Sequence, residues 1–167
     1  VTIIPRGYAG GFMMPLSEEK LITTRKEMLA EIKVLFGGRV AEELVLDDIS
    51  TGAHNDIKRA TNITRLYVES LGMSKKIGPV NFENSNEEFN FVSNKSNETA
   101  REIDMEIMRI LSEEYQNTLT ILSENRWRLD NVAELLLKKE TITGAEVRKI
   151  INGMSAQDII DEDDRKL

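Results

Sequence analysis

The chain has 167 residues, 40% of them hydrophobic and 31% charged, which is the balance of a folded protein long enough to bury a sizeable core. Its lack of Cys excludes a disulfide framework and any thiolate metal site. A net charge of −7, with no cluster of Lys and Arg, speaks against a nucleic-acid partner, because phosphate binding draws on concentrated positive charge.

Val1 to Ile4 are all β-branched and run into Pro5, whose missing N–H suits the end or edge of a sheet. Tyr8 to Met14 reads as a second extended piece stopped by Pro15, so the two predict a small β-hairpin or edge-strand element. The chain opens with Val inside this β-branched run, as expected of a piece of a longer polypeptide. Thr24-Arg25-Lys26-Glu27 has the capping-box pattern, and Met28, Ile32, Leu35 and Phe36 carry an apolar helical face up to Gly37-Gly38. The paired glycines predict the end of that helix and close packing there. Arg39 to Val45 then predicts a shorter helix, in which the neighbours Glu42 and Glu43 point about 100° apart and read by default as two solvated glutamates.

Ser50 to Leu71 organises the rest. A turn of small residues, Ser50-Thr51-Gly52-Ala53, leads into Ile57, Ala60, Thr64, Val68 and Leu71 at helical spacing, which predicts a helix from near Ala53 with one buried face. Thr51 is the expected N-cap. Asp56 falls in the first turn beside the apolar stripe, where a carboxylate is expected to be half-buried and favoured by the helix dipole. Acidic residues are common in that turn for purely structural reasons, so the position alone does not make Asp56 a ligand.

Beyond Gly72, the stretch Glu83 to Lys95 is rich in Asn, Glu and Ser and reads as a mobile loop, with Phe89 and Phe91 alternating as in a brief strand. Ser96 caps the longest helix, Asn97 to Glu124, roughly 42 Å at about 1.5 Å per residue, a scaffold marked by Ile103, Ile107, Ile110, Leu111, Tyr115 and Leu119. Arg126 to Lys139 predicts a helix folding back on it, with Trp127 as a packing anchor. Thr143-Gly144-Ala145-Glu146 opens a short helix that closes at Gly153. Residues 154–167 are acidic and are expected to be a frayed or disordered tail, leaving residues 1–153 as one domain. No run of about 20 apolar residues is present, so no membrane contact is expected of this chain itself. The fold class is mainly α, a helical bundle with a small β-hairpin or edge-strand element.

A protease zinc takes three protein ligands, keeps one position for water and adds a carboxylate base; a helical His-Glu-x-x-His supplies two imidazoles and that base. Here the one histidine is His54, no such motif occurs, and no Walker A pattern is present to cradle ATP. Nucleophilic triads have no support either, because there is no Cys and Ser50 near His54 lacks an oriented acid.

Three stretches, VTIIPRG at Val1 to Gly7, GGRVAEELV at Gly37 to Val45, and TGAHND at Thr51 to Asp56, resemble in order and spacing the peptidase domain of the FtsH family of membrane-anchored, ATP-dependent zinc metalloproteases. The resemblance spans Val1 to about Gly153. It implies that the chain starts just downstream of the His-Glu-x-x-His helix, that the general base lies before Val1, and that no catalytic residue is in this chain. Asp56 is then the third zinc ligand, while His54 sits where the family uses no metal ligand. Glu42 matches a glutamate near the zinc, a partner that orients a ligating imidazole. Gly10, Gly11 and Phe12 match an edge strand where extended substrate adds by main-chain hydrogen bonds.

The implied cofactors are zinc in the complete domain and ATP used by an ATPase domain outside this chain. The implied partners are protein or peptide substrates and a homo-hexamer, at the cytoplasmic face of the bacterial inner membrane or an equivalent organellar membrane. This fragment alone is expected to be inactive. The rival reading is a non-enzymatic oligomerisation or substrate-docking module, a pseudo-protease whose upstream histidines are lost.

Overall fold

The computed structural model describes residues 1–5, 7, 10–14, 21–82 and 96–165. The expected loop from Glu83 to Lys95, with its Phe89 and Phe91 strand, and the outer part of the Tyr8 to Pro15 segment lie outside the described residues. The fold is mainly α, with helices α1 Arg25–Leu46, α2 His54–Arg65, α3 Asn97–Glu124, α4 Arg126–Lys139, α5 Gly144–Ile151 and α6 Ala156–Asp164. The chain divides into two compact units, Lys20–Ser123 and Val1–Glu19 with Glu124–Leu167.

In the Lys20–Ser123 unit, α1 begins at a complete capping box: Glu27 N–H donates to Thr24 Oγ1 and Thr24 N–H donates back to Glu27 Oε2. The helix does not stop at Gly37-Gly38, as the sequence predicts, but runs unbroken to Leu46 and closes with Asp47 in a left-handed conformation. Glycine in a helix costs only about 1 kcal/mol relative to Ala, and burying Leu35, Phe36 and Val40 on either side outweighs that. Nor do the glycines mark a close approach, since a Cβ at either would meet no atom within 4 Å.

α2 follows a single 3₁₀ turn, Thr51–Ala53, and is extended by a π turn, Leu66–Ser70, in which Leu71 N–H reaches back to Leu66 C=O at 3.0 Å. The wider turn inserts a residue into the α-helical period. Tyr67 and Val68 are therefore both buried, whereas Leu71, expected on the stripe, is 46% exposed. α3 has the expected bounds and its Ser96 Oγ accepts from Thr99 N–H at 3.1 Å. One core cluster joins Met28, Tyr67, Val68, Ile103, Ile107 and Ile110, and another joins Ile32, Leu35, Phe36, Val40 and Ala60 to Leu111, Tyr115 and Leu119. The rings of Phe36 and Tyr115 meet edge to face, 5.3 Å apart.

Segment 71–82 is fastened to α3 by a buried carboxylate. Glu106, 1% exposed, accepts from Ser74 Oγ at 2.7 Å and from Arg109 Nε and Nη2 at 2.7 and 3.0 Å. These charge-assisted bonds compensate its burial.

In the other unit, the N-terminal residues pair antiparallel with the chain between α4 and α5. Ile3 N–H donates to Glu140 C=O and Ile142 N–H to Val1 C=O, both at 2.9 Å. Thr2 also exchanges both main-chain bonds with Phe12. Among the described residues the β structure consists of two isolated antiparallel bridges, Thr2 with Phe12 and Thr2 with Thr141. The core here is Leu135, Ile142, Ile150, Ala156 and Ile159.

Two expectations are corrected in this unit. Residues 156–164 are not a disordered tail but a helix, started by a capping box between Ser155 and Asp158 and anchored by the buried Ala156 and Ile159. Asp158, Asp161 and Asp164 are exposed, and the spacing of Ala156, Ile159 and Ile160 at helical intervals was the missed signal. Trp127 is not the packing anchor: it is 49% exposed, and Leu135 takes that place.

Candidate functional site

Ser50, rather than Thr51, caps the start of the TGAHND stretch, its Oγ accepting from Gly52 N–H at 3.1 Å. The 3₁₀ turn that follows buries Ala53, and His54 N–H donates to Thr51 C=O as α2 begins. Asp56 lies in the first turn of α2, where the unpaired N–H groups favour an anionic side chain. It is exposed, not half-buried, because the buried face of α2 runs through Ala60 and Thr64 and leaves the first turn outside it. Asp56 makes no hydrogen bond or ion pair among the described residues, so both carboxylate oxygens are open to a ligand. His54 is likewise exposed.

Glu42 is not a solvated glutamate. Its Oε1 accepts from Ser50 Oγ at 2.6 Å and its Oε2 from Ser50 N–H at 3.0 Å, while Arg39 Nη1 donates to Ser50 C=O at 2.7 Å. The Ser50 hydroxyl bond and then the Ser50 amide hold the Glu42 carboxyl below its ordinary range against the opposing effect of burial, with the Arg39 charge adding least. Glu43 has a separate use: it accepts the hydroxyl of Tyr115 on α3. Burial first, and then this carboxylate, raise the Tyr115 phenol. An open cleft of about 530 Å³ lies alongside, lined by Phe36, Ile49, Ile57 and Tyr115 together with Glu43 and Asp47.

In the other unit, Gly11 gives its missing side chain to the chain's own backbone, since a Cβ there would lie 2.5 Å from Thr2 C=O. Both main-chain groups of Phe12 face Thr2. The expected role of Phe12 in pairing with substrate is therefore not open to its main chain, whose two groups Thr2 occupies. Gly10 is exposed with open space around its Cα.

As a zinc donor Asp56 fits one place in a coordination set, being an accessible, unpaired carboxylate. The rest of a set is not assembled: among the described residues no group of three or more His, Cys, Asp or Glu is placed to hold a metal ion. A profile of Peptidase family M41 matches residues 1–150. The chain belongs to peptidase family M41. This M41 chain is 69% identical over 160 residues to the ATP-dependent zinc metalloprotease FtsH of Leptotrichia buccalis, covering 96% of this chain and 21% of that relative. It is 53% identical to the FtsH of Streptobacillus moniliformis, covering 100% of this chain and 24% of the relative. Against the FtsH of Bacillus subtilis the identity is 45%, over 91% of this chain and 25% of the relative. The M41 chain thus spans about a quarter of the length of the relatives it matches.

Sequence reasoning missed Arg39 and Ser50. Their signal was present: Arg39 and Glu42 stand three apart on one face of a helix, and Ser50 precedes a Gly-containing turn, the usual setting of an N-cap.

Proposed function

We propose that this chain is the downstream portion of the peptidase domain of an ATP-dependent zinc metalloendopeptidase, one that degrades proteins threaded by an attached ATPase ring. Asp56 supplies the third zinc ligand, and the two imidazoles and the general base come from a His-Glu-x-x-His helix ahead of Val1. When bound, the metal supplies Lewis-acid activation of a water. The observation that carries this reading is the open carboxylate of Asp56, held in a helix first turn inside the region matched to a metallopeptidase family.

Gly10 and Gly11 mark the edge at which extended substrate adds, while the main-chain groups of Phe12 are taken by Thr2. In this reading the complete protein is a membrane-anchored hexamer, consistent with relatives named ATP-dependent zinc metalloproteases. Among the described residues no helix is long and apolar enough to cross a membrane, so an anchor belongs elsewhere in the polypeptide.

The test is Asp56→Asn in the full-length polypeptide, read by bound zinc per subunit and by cleavage of an unfolded protein. Loss of zinc by tenfold or more in affinity, together with loss of cleavage, is expected. Unchanged zinc content would remove Asp56 from the site and the reading with it.

A further inference from the structure

Every polar group of Ser50 is held by α1. Its amide and hydroxyl donate to the two oxygens of Glu42, at 3.0 and 2.6 Å, and its carbonyl accepts from Arg39 Nη1 at 2.7 Å. The same hydroxyl, while donating to Glu42, accepts from Gly52 N–H at 3.1 Å. A hydroxyl can do both at once, so Ser50 relays the position of α1 into the first turn that follows it. Arg39 and Glu42 sit one helical turn apart on one face of α1, whose own position is fixed by the buried Phe36 and Val40. The chain from Asp47 to Ala53 is otherwise lightly anchored, with Ala53 its buried residue.

We propose that Arg39, Glu42 and Ser50 form a clamp that sets where α2 begins, and that Arg39 and Ser50 are thereby positioning residues for the Asp56 carboxylate. Ser50 is six residues from Asp56 and touches neither it nor a metal; its effect passes through the 3₁₀ turn Thr51–Ala53 and the first turn of α2. Glu42 acts here by gripping a turn, which differs from orienting an imidazole. The consequence for metal binding rests on the zinc reading above; the clamp itself does not.

Two measurements separate these. Amide hydrogen exchange on this chain reads the clamp without metal. Ser50→Ala and Arg39→Gln are each expected to speed exchange at Gly52, Ala53 and the first turn of α2 by tenfold or more. Ser50→Thr, which keeps a capping hydroxyl, should restore protection. Protection at Ile103 and Ile107 should not change, which distinguishes a local release from misfolding. Unchanged exchange at Gly52 in both variants would overturn the clamp.

In the full-length polypeptide, the rate of zinc transfer to a chromophoric chelator should rise about tenfold for Ser50→Ala and Arg39→Gln and stay near wild type for Ser50→Thr. Faster exchange with unaltered zinc release would overturn the positioning role. Zinc retention in Asp56→Asn would sink the metal reading and leave the exchange result standing by itself.

Discussion

Gly38 and Gly72 show how one residue type carries opposite instructions. Gly38 is exposed in mid-helix with nothing within 4 Å of where a Cβ would stand. Gly38→Ala should therefore stabilise the fold by about 0.5–1 kcal/mol through helix propensity. Gly72 sits at φ +56, and a Cβ there would lie 2.8 Å from Pro79 Cα. Gly72→Ala should cost about 1–3 kcal/mol, and urea denaturation of both variants reads the two signs side by side. A buried carboxylate behaves differently again at Glu106. The Arg109 guanidinium first, and Ser74 after it, hold its carboxyl below the ordinary range despite the opposing effect of burial. A carboxylate with a lowered folded pKa contributes stability that is complete above the unfolded value, about 4.3, and is lost as pH falls through the folded value. Glu106→Gln should cost about 1–3 kcal/mol at neutral pH and flatten the loss of stability on acidification; a denaturation series from neutral to acid pH would show it, and an unchanged slope would contradict it.

Helix α6 is where the element scale departs most from the residue pattern. The run Asp161-Glu162-Asp163-Asp164 reads as a solvated end, yet Lys139 reaches Asp163 at 2.6 Å and Lys149 reaches Glu162 at 2.5 Å. Such exposed pairs contribute little each. The larger contribution is burial: Ile159 and Ala156 close the cluster around Leu135 and Ile150, and the buried Ala156 N–H finds Asn131 Oδ1 at 2.7 Å. Ile159→Ala should therefore destabilise its unit by about 2–5 kcal/mol, as a core truncation does. A disordered tail would tolerate the change, so thermal melting with tryptophan fluorescence from Trp127 separates the two descriptions.

For the molecule as a whole, the family match and the open carboxylate of Asp56 lead to one functional expectation. The chain alone, given zinc and an unfolded protein substrate, is expected to show no zinc-dependent cleavage above buffer, because its sequence holds one histidine and no His-Glu-x-x-His pair of ligands with its base. A chelator-sensitive cleavage by the purified chain would overturn that expectation.

The predominance of helix, the bounds of α3 and the capping boxes of α1 and α5 were legible in the sequence, because each depends on residues within a few positions of one another, and family membership was legible because three short stretches keep their order and spacing. Tertiary packing decided the rest. Whether α1 stops at Gly37 depends on what covers Phe36 and Val40; whether Asp56 is half-buried depends on where the π turn and Thr64 place the inner face of α2. Whether an acidic end folds depends on an apolar cluster awaiting Ile159, and the partners of Ser50 lie on another helix, eight and eleven residues away. Local pattern states what a segment can do, and burial against distant residues, which no short window contains, selects among those possibilities.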